Sequence, residues 1–203
     1  MEEKKENRFL VQFAKPVEFE HTQYTELDLS GVEALTVADA ERMVYEGVEA
    51  GDLRADDPLP EGRMGFMWRA AARATGKPIE FFKLMPLPEA RKVKAAVNRV
   101  FGTKAPENGV MELEKPALYG GKTVEKLDFG GMETLPSMAE GEAENAARRA
   151  GYVTAGDGGR FLYPYVIAMA AMATGMPEEF FRALPVAEAA KLKAAVNDPR
   201  CFG

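Results

Sequence analysis

The chain states one pattern twice, and that repetition restricts it to folds built from two like halves. Residues 78–98 read PIEFFKLMPLPEARKVKAAVN, and residues 177–197 read PEEFFRALPVAEAAKLKAAVN. At a constant shift of 99 residues, 13 of these 21 positions are identical, where composition alone gives about one or two. Upstream the match continues at a shift of 100, through Lys15-Pro16 and Lys115-Pro116, Leu27-Asp28 and Leu127-Asp128, Gly31 and Gly131, and Ala50-Gly51 and Ala150-Gly151. The shift changes by one between Gly51 and Thr75, which puts a length difference in the Pro/Gly/Asp-rich residues 56–62. A surface loop tolerates such a change. The repeat is about 90 residues long, the size of a small domain. It divides the chain into a first unit, 9–102, a linker, 103–109, and a second unit, 110–203. A duplicated unit without a duplicated catalytic group points to binding or scaffolding before it points to an enzyme.

Composition narrows the classes further. With 46% hydrophobic and 29% charged residues, the chain has the balance of an ordinary soluble globular protein. Its longest apolar run, 161–177, is broken by Pro164 and is shorter than the ~20 residues a membrane helix needs, so no membrane association is expected. The start, MEEKKENRF, is charged and predicts no signal peptide. The single cysteine, Cys201, excludes an internal disulfide and a multi-cysteine zinc site, and predicts a reducing, cytoplasmic setting. A net charge of −6 argues against nucleic acid as a partner, because a phosphate-binding face needs a basic stripe.

Each unit predicts a β-hairpin followed by three to four short helices, an α+β fold. Val11, Phe13, Val17 and Phe19 alternate with other residues around Lys15-Pro16, and Tyr24, Leu27 and Leu29 follow a turn over 20–23. In the copy, Gly120-Gly121 separates two alternating runs, a hairpin signal. Pro16 and Pro116 belong at an edge or a bulge, where no ladder N–H is needed. Thr36 and Ser137 are candidate N-caps, and Gly51 and Gly151 are stops. A second helix is expected over about 62–75 and 160–174. Gly76-Lys77-Pro78 and Gly175-Met176-Pro177 then punctuate the way into a short helix bearing Phe81-Phe82 or Phe180-Phe181. In the last helix of the first unit, Leu87, Ala90, Val93, Val97 and Val100 form an apolar stripe, with Glu89, Arg91, Lys92 and Arg99 largely off it.

Three elements together resemble a known family. One is Lys-Pro, an aromatic three residues after the proline, and Leu-Asp-(Leu/Phe) eight residues on: Lys15-Pro16 to Phe19 and Leu27-Asp28-Leu29, repeated as Lys115-Pro116 to Tyr119 and Leu127-Asp128-Phe129. Another is the helix start Leu35-Thr36-Val-Ala-Asp39, kept loosely as Leu135-Pro136-Ser137. The last is Ala-x-x-Thr-Gly-x-Pro-x-x-Phe-Phe, then a proline, a helix containing Ala-Val-Asn and a closing Phe-Gly, over 72–102 and 171–203. The pattern is similar to the small tail assembly chaperones of tailed bacteriophages and prophages, encoded between the tail tube and tape-measure genes. Family members usually carry one such unit, so the tandem pair is a departure. The resemblance implies a non-enzymatic protein of the bacterial host cytoplasm that binds apolar helical segments of the tape-measure protein and keeps them soluble during tail assembly. It carries over no catalytic residues. The alternatives are a structural phage component that oligomerises, and a carboxylate enzyme using Asp28, Asp128 or Glu133 between the units.

No catalytic, cofactor-binding or metal-binding residue is assigned. His21, the only histidine, reads as a solvated turn residue with no ligand partner at a fixed spacing. Asp28 and Asp128 read as outward-facing strand residues or turn caps. Gly156-Asp157-Gly158-Gly159 lacks the Gly-Lys-Ser/Thr ending of a phosphate loop and reads as a flexible connection. The candidate partner-binding residues are apolar: Phe81, Phe82, Phe180, Phe181, Tyr165, Met169, Met172 and Met176. Adjacent phenylalanines cannot share one narrow helical stripe, so one ring can enter the core while the other reaches a neighbouring element or a partner. The run Phe-Leu-Tyr-Pro-Tyr-Val-Ile-Ala-Met-Ala-Ala-Met-Ala has Ala168 and Met172 where the first unit has Arg69 and Arg73. A helix apolar all round must be covered on every side, by the first unit, by another copy or by a client.

Overall fold

Alternating apolar residues give each unit a hairpin of the same length and register. The computed structural model describes residues 7–101, 109–152 and 156–197. In the first unit β1 (Leu10–Phe19) pairs antiparallel with β2 (Thr22–Asp28), and in the second β3 (Val110–Tyr119) pairs with β4 (Lys122–Asp128). Both are closed by two-residue turns whose members lie at positive φ, Glu20 and His21 (48° and 63°) and Gly120 and Gly121 (55° and 77°). Such turns match the twist of the flanking strands. One face of each hairpin, with Val11, Val17 and Leu27 in the first unit and Met111 and Leu127 in the second, enters the core.

The expected order of helices follows. The first unit has α1 (Val37–Glu49), α2 (Met64–Thr75), α3 (Ile79–Lys83) and α4 (Leu87–Asn98). The second has α5 (Met138–Arg149), α6 (Tyr163–Thr174), α7 (Glu178–Ala183) and α8 (Ala189–Val196). Short 3-10 turns, Ser30–Ala34 and Gly130–Thr134, link hairpin to helix in both units. There Gly31 and Gly131 have a shared reason: a Cβ on either would meet the carbonyl oxygen of Ala74 or Ala173 at 2.2 or 2.1 Å. Gly51, Gly76, Gly151 and Gly175 end their helices at positive φ, as expected.

The repeated motifs converge on one device. In β1 the register slips between Gln12 and Val17, so residues 13–16 oppose Thr25 alone, and Pro16 sits in the bulge. β3 does the same around Pro116. A bulge frees strand backbone groups, and the last helix supplies their partners. The Ala14 N–H donates to Glu89 Oε1 (3.2 Å), and Lys92 Nζ donates to the Gln12 carbonyl (3.3 Å) while pairing with Glu89 Oε2 (2.8 Å). In the copy the Glu114 N–H donates to Glu188 Oε1 (2.7 Å), and Lys191 donates to the Glu112 carbonyl (3.0 Å) and pairs with Glu188 Oε2 (2.6 Å). The duplicated Glu-Ala-x-Lys thus clamps the duplicated bulge.

Several expectations need correcting. Leu87 is exposed and Glu89 is buried, the reverse of the stripe reading, because the carboxylate has the bulge to bind. Thr36 caps α1 in a full capping box with Asp39. Ser137 has helical backbone and makes no capping bond, since it aligns with Val37 while Pro136 holds the cap position. The last helix of the second unit begins as a 3-10 turn, Val186–Glu188. Residues 156–161 (Gly156–Phe161) also form a 3-10 helix where a flexible connection was expected. Cys201 and the linker, apart from Gly109, lie outside the described residues.

Glu188→Ala takes the nearest carboxylate from the buried Lys191 ammonium, leaving only Glu114 at 4.0 Å, and is expected to cost about 3–5 kcal/mol. Glu89→Ala leaves an exposed Lys92 hydrated, so its cost is about 1–3 kcal/mol for the unmatched Ala14 N–H. Urea unfolding of the two variants checks the order, and a negligible loss in both would rule the clamp out.

Candidate interaction surface

The aromatic candidates lie in the core. Phe81 and Phe82 meet edge to face (5.0 Å between centroids), as do Phe180 and Phe181 (5.3 Å), and all four are buried. One ring of each pair holds its own hairpin: Phe81 packs on Phe19 and Tyr24, and Phe180 packs on Tyr119. Tyr165 and Met169 are buried as well, within a helix whose residues 163–170 are all buried. α6 rests on α5, α7 and α8 of its own unit and on α1 of the first. Only Met172 and Met176 of the candidates are partly exposed.

Comparing equivalent positions shows a coordinated change. In the first unit Arg69 is buried, donating to Gly65 O, Glu46 O and Asp52 Oδ2. Burial pushes the Asp52 carboxyl up, but hydrogen bonds from Lys83 and Arg69 outweigh it and hold the group below the usual carboxylate range. The second unit has Ala168 and Tyr152 at those two positions, so both partners have gone together. Removing one alone would strand a buried charge. The half-buried pair Arg73–Glu46 (2.9 Å) is likewise replaced by Met172 and Ala146. Lys77, lying 3.9 Å over the Tyr24 ring, is replaced by Met176, and Tyr24 by Val124. At the hairpin tip Leu118, 77% exposed, stands where the first unit has Glu18. Leu118 and Met176 are thus apolar where the first unit has charges, and Tyr119, also exposed, stands where the first unit has Phe19.

The two units join through several contacts. Residues 35–37 run antiparallel to 184–186: the Val37 N–H donates to Leu184 O (2.9 Å), and the Val186 N–H donates to Leu35 O (2.8 Å). Arg182 pairs with Glu41 (3.1 Å), and Tyr45 meets Tyr152 edge to face (5.7 Å). Glu61 is inserted among second-unit residues, where it accepts from the Tyr163 hydroxyl and from Lys193 Nζ (2.5 Å); Lys193 also lies 4.1 Å over the Tyr163 ring. This buried group was missed in the sequence. Its trace there is the one-residue length difference, which falls beside Glu61.

The polar candidates are accounted for separately. His21 is exposed in its turn. Asp28 and Asp128 accept from the Ser30 and Gly130 backbones, both at 2.8 Å, as turn caps. The Ser30 bonds, backbone first, lower the Asp28 pKa. A cleft of about 170 Å³ between the units is lined by Arg8, Glu33, Arg99, Glu114, Lys115 and Glu188, and neither Asp28, Asp128 nor Glu133 reaches it. Among the described residues no His/Cys/Asp/Glu group is arranged to hold a metal ion, and no helix is long and apolar enough to cross a membrane. Searched against known proteins, the chain matches no family model, no curated protein and no solved structure.

Burial, with help from Glu61, raises the Tyr163 pKa well above the ordinary 10.0; burial and then Glu41 raise that of Tyr152; burial and then Glu140 push Tyr165 up to about 12. The folded chain holds these protons more tightly than the unfolded chain. Their contribution to stability is complete below the ordinary value of 10.0 and is lost as pH rises through the folded values. Phenolate absorbance from these three tyrosines should appear together with the loss of helical circular dichroism in an alkaline titration. A phenolate step from them that precedes unfolding would contradict their burial.

Proposed function

We propose that this chain is a non-enzymatic assembly chaperone of the phage-tail type, acting in the bacterial cytoplasm. It binds apolar helical segments of a tape-measure protein and keeps them from aggregating. The observation that carries the reading is that Leu118 and Met176, both reached by solvent, are apolar where the first unit has Glu18 and Lys77. Leu118, left 77% exposed, gains little from the fold, and exposed apolar surface is what an interaction with an apolar client uses. Unbranched methionine adapts to irregular apolar partners, and Met172 and Met176 are the two candidate methionines that solvent reaches. The chain's net charge of −6 favours solubility of a complex with a greasy client. The Phe pairs serve this role indirectly, by holding the hairpin tip in place.

Co-expression with a tape-measure segment from the same genome tests the reading. The wild-type chain should raise the soluble fraction of the segment several-fold. The double variant Leu118→Glu, Met176→Lys, which gives the second unit the first unit's residues, should lose that effect with an unchanged melting temperature. A wild-type chain that leaves the segment insoluble, or a double variant that protects it equally well, refutes the proposal.

A further inference from the structure

Two buried lysines are paired with buried glutamates, and the pairs differ in what else each group holds. In the Glu188–Lys191 pair, Glu188 also accepts from the Glu114 N–H, and Lys191 also donates to the Glu112 carbonyl. Hydrogen bonds to the ionised forms keep both groups charged. Glu61 and Lys193 have no such outside hydrogen bond among the described residues. Lys193 Nζ donates to Glu61 Oε1 at 2.5 Å, and the Tyr163 hydroxyl donates to that same oxygen. Glu61 is 6% exposed, Lys193 5% and Tyr163 1%.

This arrangement places an amine against a carboxyl carbon in a dry site. An amine hydrogen-bonded to one carboxyl oxygen lies about 3–3.5 Å from the carbon, the separation of a reacting pair. Fixing the two partners so is equivalent to a concentration on the order of 10⁵ M or more. Two charges withheld from water are costly, and a neutral product removes both. Burial also keeps away the water that would hydrolyse an amide in solution. The Tyr163 hydroxyl stabilises negative charge on Oε1, as a donor aimed at a reacting oxygen does.

From this we infer that Lys193 and Glu61 condense to an isopeptide bond, which ties the two units covalently across 132 residues of chain. The ion pair is its precursor. One ammonium proton of Lys193 passes to Oε1, and the freed amine adds to Glu61 Cδ, forming the N–C bond. A second proton follows to Oε1, the Cδ–Oε1 bond breaks with its electron pair, and Oε1 leaves as water. Nζ keeps its last proton as the amide N–H, and Oε2 becomes the amide oxygen. Ammonium and carboxylate are thereby converted to amide and water, with no oxidant and no further reactant. The link uses neither Leu118 nor Met176 and stands apart from the client reading.

Mass spectrometry of the intact, denatured chain tests this. The wild-type chain should be lighter than its sequence requires by one water, and proteolysis should release a branched fragment joining residues 61 and 193. Lys193→Arg keeps a cation beside Glu61 but offers no amine, and should show no such loss. Tyr163→Phe keeps the ring without the hydroxyl, and should form the link several-fold more slowly in freshly made protein. A wild-type chain at its full mass after long incubation in native buffer overturns the inference, as does a water lost equally from Lys193→Arg. A Tyr163→Phe chain that links as fast as wild type removes the role of the hydroxyl. The Leu118→Glu, Met176→Lys chain should link normally, so failure here and failure of client binding are told apart.

Discussion

The structure depends on the buried carboxylates of Glu89 and Glu188, each gripping the strand that opens its unit. A lone two-stranded hairpin is marginal in water. Here it is held because the last helix of each unit reaches back to the bulge, binding a backbone N–H with the glutamate and a backbone carbonyl with the lysine one turn on. First element is thereby tied to last, and the helices between them are enclosed. This accounts for Lys-Pro and Glu-Ala-x-Lys appearing in both units: the proline sits where the ladder breaks, and the helix pair satisfies what the break exposes.

On that shared frame the units have diverged in matched steps. Where the first unit has the Arg69–Asp52 and Arg73–Glu46 pairs, the second has Ala168 with Tyr152 and Met172 with Ala146. Replacing both members avoids the cost of a single buried charge, and an apolar substitute can match a buried ion pair in stability. The outcome is an α6 without a polar face, held between its own unit and α1. The units then lean on each other through Glu61, whose charge is buried only because Lys193 and the Tyr163 hydroxyl answer it.

Local signals were legible in the sequence. The Gly-Gly turn, the glycine stops, the Thr36 cap and the bulged prolines each act within a few residues, and the structure has them where expected. What escaped depends on distant partners. Glu89 looked solvent-facing because its acceptor role is defined by Ala14, 75 residues away, and Leu87 looked buried because nothing local says that this edge is left uncovered. The Phe pairs suited either a partner or a core, and their environment is set by the aromatic rings of the hairpins. Position-by-position comparison of the two units carried more information than either unit alone: Met176 set against Lys77, and Leu118 against Glu18, mark where the second unit has exchanged charge for apolar surface.

The antiparallel contact of 35–37 with 184–186 has a consequence during synthesis. The first segment leaves the ribosome well before its partner, which lies in the other unit, is translated. The first half of a nascent chain therefore waits with that edge bare, beside other nascent chains on the same message. Contacts so far apart in sequence close slowly, and multidomain chains exchange parts while they wait. An edge bare for that long can be met by the second half of a neighbouring chain instead of its own, giving interlocked products whose abundance follows the crowding of ribosomes on the message.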